Sequence, residues 1–272
     1  MTSIRDALVL VTGASSGLGE AFARLAATEG GRVILVARRA QELERVAESI
    51  RSAGGTAHVF TADLGELDAV ADVTARIEGE LGVPDILVNS AGAGVWRYVD
   101  ETSPEEAVQL MAVPYFAAFA MTRAFLPQML RRGAGHIVNI TSVASTLVWP
   151  GATAYRAARC AMHGFTDGLQ AELRQTGVKA TLATFAKVAS GYWDHNPGSE
   201  QRVPGAQALV RVLTPAQTAQ AMLKGIRRER RLVMAPFELA FILGLVQLFP
   251  FVGRWLMRAT SPPRRQLSSA GD

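Results

Sequence analysis

Cysteine is almost missing from this chain: Cys160 is the only one in 272 residues. No internal disulfide can form, which agrees with a reducing compartment. A single cysteine in a helical pattern reads as a small packed hydrophobe rather than a reactive thiol. Histidine is scarce too. His58, His136, His163 and His195 are scattered, with no metal-ligand spacing, so no metal site is expected. Charged residues are only 19% of the chain and aromatics 7%, against 49% hydrophobic. That balance excludes global disorder and supplies core for one large α/β domain or two small ones. No internal repeat, domain linker or signal-peptide pattern is visible. Ala7–Val11 is short and runs straight into a glycine-rich turn, so it reads as a first strand, and a cytoplasmic location is expected.

An uninterrupted apolar run of membrane-spanning length is also lacking. Leu232–Met257 comes nearest, but Pro236, Glu238, Gln247, Pro250 and Arg254 interrupt it. Arginines flank it: Arg227, Arg228, Arg230 and Arg231 before, Arg258, Arg264 and Arg265 after. Three readings stand: a buried lid or oligomer contact, peripheral attachment at the inner face of a membrane, and, least, a spanning helix. The net charge of +4 is concentrated here, since residues 227–272 hold eight arginines against three acids. The rest of the chain is close to neutral, so no nucleic-acid face is expected.

Apolar, β-branched runs alternate with longer helical patterns. Ala7–Val11, Arg32–Val36, Thr56–Thr61, Asp85–Asn89, His136–Thr141 and Val178–Thr184 read as strands buried on both faces. Helices fit between them at about Gly17–Thr28, Ala40–Ala53, Leu67–Leu81, Pro104–Arg131 and Thr153–Gln175. Ser103-Pro104-Glu105-Glu106 has the form of a capped helix start. The alternation predicts a doubly wound parallel sheet with right-handed crossovers. Residues 185–213 hold five glycines and prolines and read as a lid with short helices. We therefore expect a body, 1–231, that includes this lid, and a tail, 232–272.

Between first strand and first helix lies Thr12-Gly13-Ala14-Ser15-Ser16-Gly17-Leu18-Gly19. Glycines there let the backbone turn sharply and approach a pyrophosphate seated on the helix N-terminus; a tight structural turn is the plainer alternative. The second strand ends at Ala37, where an NAD site would place a carboxylate, and Arg38-Arg39 follow. Arginine favours a 2′-phosphate, which predicts NADP(H) over NAD(H), with Arg38 the main contact and Ser15 helping. The plainer alternative is a solvated charge pair at a helix start.

Thr12–Gly19, Asn89-Ser90-Ala91-Gly92 and Tyr155-x-x-x-Arg159 together resemble the short-chain dehydrogenase/reductase family, in order and register from about Ala7 to Thr184. The resemblance implies a single-domain Rossmann-like fold with a C-terminal lid. It also implies cofactor contacts from Gly13, Ser15, Ser16, Gly17, Leu18, Gly19, Arg38, Asp63, Asn89, Ala91, Gly92, Tyr155, Arg159 and Ser190. It makes Ser142 the group that orients a substrate carbonyl and Tyr155 the one that exchanges its proton, with Arg159 the cationic helper. A free tyrosine titrates near about 10, and a nearby cation makes it a usable base. Four residues along a helix puts that cation on the same face.

Three departures accompany the match. Arg159 replaces the family's lysine; Pro114 replaces an asparagine at a helix distortion, although a simple Pro kink explains it equally well; and Phe185-Ala186-Lys187 replaces Pro-Gly, with Ser190 standing in for a threonine. Lys187 is a possible phosphate or substrate contact, though a loop lysine in solvent is the plainer reading. The expected activity is interconversion of a secondary alcohol and a ketone on an apolar substrate, in a homodimer or homotetramer. Trp96, Trp149, Tyr192, Trp193 and His195 are candidates for the substrate pocket. The rival reading is a protein of this fold without hydride transfer — a cyclase, isomerase or ligand sensor that keeps Tyr155 as acid/base — or a membrane-associated scaffold.

Overall fold

A computed structural model of the chain describes residues 1–92 and 94–264. Arg265 and the rest of the expected tail lie outside the described residues. Seven strands form one parallel sheet: β1 (Leu8–Thr12), β2 (Arg32–Ala37), β3 (Thr56–Thr61), β4 (Ile86–Asn89), β5 (Gly135–Ser142), β6 (Val178–Phe185) and β7 (Leu232–Ala235), in the order β3-β2-β1-β4-β5-β6-β7. Every residue of β1 and β4 is buried, which is why their sequences show no apolar–polar alternation.

Helices cover both faces. On one, α1 (Gly17–Thr28), α2 (Ala40–Ser52) and α7 (Pro215–Arg227) pack Phe22, Val46, Met222 and Ile226 onto Val9, Val11, Val33 and Leu35. On the other, α3 (Leu67–Leu81), α5 (Ala118–Arg132) and α6 (Thr153–Glu172) bring Ile77, Met121, Phe125 and Leu169 onto Leu8, Leu10, Ile34 and Val36. Each such side chain contributes about 1.5–3 kcal/mol by leaving water.

Helix α4 (Pro104–Met111) starts as its sequence predicts. Ser103 Oγ accepts from the Glu106 amide at 3.1 Å, and the Glu106 carboxylate accepts from the Ser103 amide at 3.0 Å. Between α4 and α5, residues Ala112–Ala117 form one π-turn around the buried Pro114. A proline cannot donate to the carbonyl four residues back, and the wider turn accommodates the missing bond.

The boundary expected before Leu232 falls at the start of β7. Leu232–Ala235 pair in register with Leu182–Phe185, so the apolar stretch begins inside the sheet. Four residues carry too short a pattern to separate a strand from the apolar helices after it. Those helices are α8 (Phe237–Leu248) and α9 (Pro250–Thr260), bent by 117° at their junction. No straight spanning helix forms here. By length and composition Pro104–Arg132 would suffice to cross a membrane, but it belongs to the packed layer of the fold.

Candidate active site

Strand order reverses between β1 and β4, where the chain leaves β1 toward β2 and later returns on the other side. Loops after the two strands therefore open a crevice at the carboxyl edge of the sheet. Thr12 closes its floor. Its hydroxyl accepts from the amides of Ser90 at 3.1 Å and Ala91 at 3.0 Å. Gly13, at φ +67°, passes so near that an added Cβ would lie 2.8 Å from the Cα of Ala91. A side chain there would force the two loops apart. Beyond it, α1 begins at Gly17 with its unpaired amides facing the crevice, a ready place for an anion.

Asn89, also expected at the cofactor, takes a different place from the other expected residues. It is buried beneath the crevice and does not line it. Its amide donates to Asn139 Oδ1 at 2.8 Å, Asn139 donates to Thr166 Oγ1 at 3.0 Å, and Thr166 donates to the Met162 carbonyl at 2.7 Å. This buried chain ties β4 and β5 to α6. Thr141 adds a second tie, its hydroxyl donating to the Arg159 carbonyl at 3.0 Å. Strand and helix are thereby set so that Ser142 and Tyr155 meet one cavity. Ser142 Oγ accepts from the Ala144 amide at 3.3 Å as the chain turns away from β5.

That cavity, about 580 Å³, is continuous. Gly13, Ser15, Ser16, Gly17, Leu18, Gly19, Arg38, Asp63, Ala91, Gly92, Ser142, Tyr155, Arg159 and Ser190, all expected at the site, line it. So do the five pocket candidates Trp96, Trp149, Tyr192, Trp193 and His195.

At its polar end Arg38 is 67% exposed and lies 3.6 Å from the Asp63 carboxylate. Arg39, which the sequence did not single out, is the arginine against the glycine turn. Its Nη2 donates to Ser16 Oγ at 2.8 Å and to Ser15 Oγ at 3.1 Å, and its Nη1 is 3.3 Å from His195 Nε2 in the lid. Adjacent arginines are indistinguishable by residue type, and only the path of the chain selects between them. Lys187 pairs with Glu200 at 2.6 Å and stands 5.4 Å from the Trp193 ring centre.

At the middle, Arg159 is 7% exposed. Its guanidinium carbon lies 4.7 Å from the Tyr155 ring centre, so the cation covers the ring face. Trp96 packs near the same ring, with centroids 5.4 Å apart, and bridges to Trp149 and Trp193. Gly94 is what admits the Tyr155 ring, since a Cβ there would fall 2.3 Å from Tyr155 Cδ2. Tyr192 closes this side, its hydroxyl donating to the Gly94 carbonyl at 2.6 Å. Burial pushes the Tyr192 phenol well above its ordinary range. Tyr155 adds to the effect and the Arg159 cation opposes it. Tyr192 therefore stays a neutral donor.

The far end is hydrocarbon. Leu239 and Ile242 of α8 and Leu256 and Met257 of α9 complete the wall with Val203, Ala206 and Val210 of the lid. Residues 185–213 carry two short 3-10 turns, Glu200–Arg202 and Gly205–Leu209.

Comparison with known proteins agrees with this architecture. Residues 7–196 match the family model described as short chain dehydrogenase. An uncharacterized oxidoreductase of Mycobacterium bovis is 38% identical over 191 residues, covering 68% of this chain and 56% of that protein. The chain thus spans little more than half the length of this relative. A dehydrogenase/reductase SDR family protein 7-like of Drosophila melanogaster is 32% identical, covering 92% of this chain and 79% of that one. Among solved structures, a short-chain dehydrogenase/reductase from Burkholderia phymatum in complex with NAD superposes with a TM-score of 0.81 at 25% identity, covering 97% and 99% of the two chains. A short-chain dehydrogenase from Sphingobium yanoikuyae in complex with NADPH gives 0.79 at 25% identity, covering 95% and 99%.

Proposed function

The chain belongs to the short-chain dehydrogenase family, and from that premise we propose an oxidoreductase that interconverts a secondary alcohol and a ketone on an apolar substrate, using NADP(H) in preference to NAD(H). One observation carries the reading: a single cavity joins a phosphate-type turn, the Ser142–Tyr155–Arg159 group and a hydrocarbon wall. The residues present fit a dinucleotide. Gly13 lets the loops after β1 and β4 close on each other, α1 offers unpaired amides, and no carboxylate ends β2. Such a cofactor, when bound, supplies hydride transfer at its nicotinamide.

The remaining work falls to side chains. Ser142 and Tyr155 hold the substrate oxygen through their hydroxyls, and Tyr155 moves the proton. Arg159 keeps a permanent cation against the Tyr155 ring. Solved relatives hold either cofactor form, so the preference rests on Ala37, Arg38 and Arg39. Arg39 is already gathered with Ser15 and Ser16, the donor set a 2′-phosphate needs. Two readings of partners accompany this one. Copies pair through the face of α5 and α6, where Phe119 is exposed beside Phe165, and the C-terminal tail contacts a membrane surface.

The test is NADPH titration followed by its oxidation against a panel of apolar ketones. Tyr155→Phe should bind NADPH as the natural chain does and lose turnover by at least about a hundredfold. Cofactor binding without turnover on any ketone would instead favour a ligand-binding member of the family. Turnover that survives Tyr155→Phe would remove Tyr155 from its assigned role.

A further inference from the structure

Helix α8 is apolar nearly all round: Phe241, Ile242, Leu243, Leu245 and Leu248 stand on different sides of it, and Glu238 and Gln247 are its two polar side chains. A helix of that kind needs cover all round. The fold supplies it on one side only, where Leu239 and Leu243 are buried. The other side stands in solvent, with Phe237 79% and Leu248 73% exposed, and α9 extends it through Phe251 and Trp255, 64% and 68% exposed. Three charges lie on the two helices. Glu238 has one carboxylate oxygen buried, whereas Arg254 and Arg258 share a surface depression with Phe251 and Trp255. Cations beside exposed aromatics match anionic headgroups above acyl chains. A second copy meeting this patch about a two-fold axis would set arginines against arginines.

We infer that the α8–α9 hairpin seats its outer face in an anionic lipid surface while its inner face walls the cavity, so that apolar substrate reaches Tyr155 from the lipid side. The entry route rests on the proposed reductase reading; the docking face does not. The two helices are thin, and the same turns that expose Phe241 and Trp255 present Ile242 and Leu256 to the cavity. A substrate dissolved in the bilayer would cross one layer of side chains.

The experiment uses the full chain with NADPH. Flotation with vesicles of phosphatidylcholine and phosphatidylglycerol should carry the natural chain upward, and phosphatidylcholine alone should carry far less. Phe241→Ser/Phe251→Ser/Trp255→Ser should remain at the bottom. Arg254→Gln/Arg258→Gln, which changes no apolar packing, should bind mixed vesicles more weakly by roughly fivefold per arginine. A long-chain methyl ketone dissolved in the vesicles should be reduced at least tenfold more slowly by the serine variant, with a short water-soluble ketone unaffected. Failure of the natural chain to float overturns the docking. So does a fall in mass on light scattering caused by either variant, which would make the patch a contact between copies. Equal rates on the vesicle-dissolved ketone overturn the entry route. Flotation with no NADPH oxidation on either ketone upholds the docking and counts against the reductase reading alone.

Discussion

Arg159 meets both the Tyr155 ring and the turn at Gly92, where an added Cβ would stand 3.0 Å from its Nη2. A planar guanidinium fills such a slot with its face on a ring and its edge toward the loop; a lysine ammonium is a compact point charge that fills neither. Arg159→Lys should therefore fold and bind NADPH but turn over about tenfold more slowly, a loss on the order of 1.4 kcal/mol in the barrier. A lysine variant as fast as the natural chain would mean that only the charge matters. At the other end of the cavity, Arg39→Ala should weaken NADPH about tenfold or more and leave NADH nearly unchanged, since only one carries the phosphate. Titration of both cofactors by fluorescence checks it. Helical spacing made the Tyr155–Arg159 face legible from the sequence. Arg39 and Gly94 were not, because their partners come from distant segments: Arg39 touches a residue 156 positions away.

Elements were legible where their period was long. The six expected strands and the helices between them carried enough repeats to read, although β3, at the sheet edge, is only partly buried, and the cap at Ser103 announced α4. β7 did not, being four residues at the head of a longer, mostly apolar stretch. Its loss should nonetheless be costly. Val233 and Ala235 are buried, and Gly225 of α7 has no side chain because Val233 occupies the place: a Cβ there would fall 2.1 Å from Val233 Cγ2. A chain ended after Arg231 should lose roughly 3 kcal/mol or more of stability through that burial. A chain ended after Pro236 keeps β7 and should retain the sheet and NADPH binding while losing affinity for apolar ligands. Thermal unfolding and cofactor titration of the two truncations separate the strand from the cavity wall. The π-turn belongs to the same scale. Proline predicted an irregular helix, but the sequence could not choose between a bend and a widened turn, which depends on what packs around Pro114.

For the molecule as a whole, acid is the expected weakness. His136 at the start of β5 is fully buried, between Thr2 Oγ1 at 3.0 Å and Thr181 Oγ1 at 2.7 Å. Burial holds its imidazole down at about 4, from an ordinary 6.5. The folded protein thus keeps it neutral while the unfolded chain protonates it. Its stability contribution is intact above pH 6.5 and is lost as pH falls toward 4, by about 2–3 kcal/mol. Urea unfolding at pH 7 and pH 4.5 should show that drop in the natural chain and a smaller one in His136→Asn. The sequence set His136 and His58 on expected strands, but nothing in it told which of the two rings is sealed from water.

The hydroxyl of Thr12 has a consequence of another kind. One oxygen atom at the end of β1 holds two successive amides of the loop after β4, Ser90 and Ala91. The mouth of the site is anchored on that side to the end of β1. It is as stiff as the pairing of β1 with β4, and whatever adapts to the size of a guest must do so on the opposite bank, in the lid and the bent helices. Variation among descendants of this chain should collect there, with the floor staying as it is.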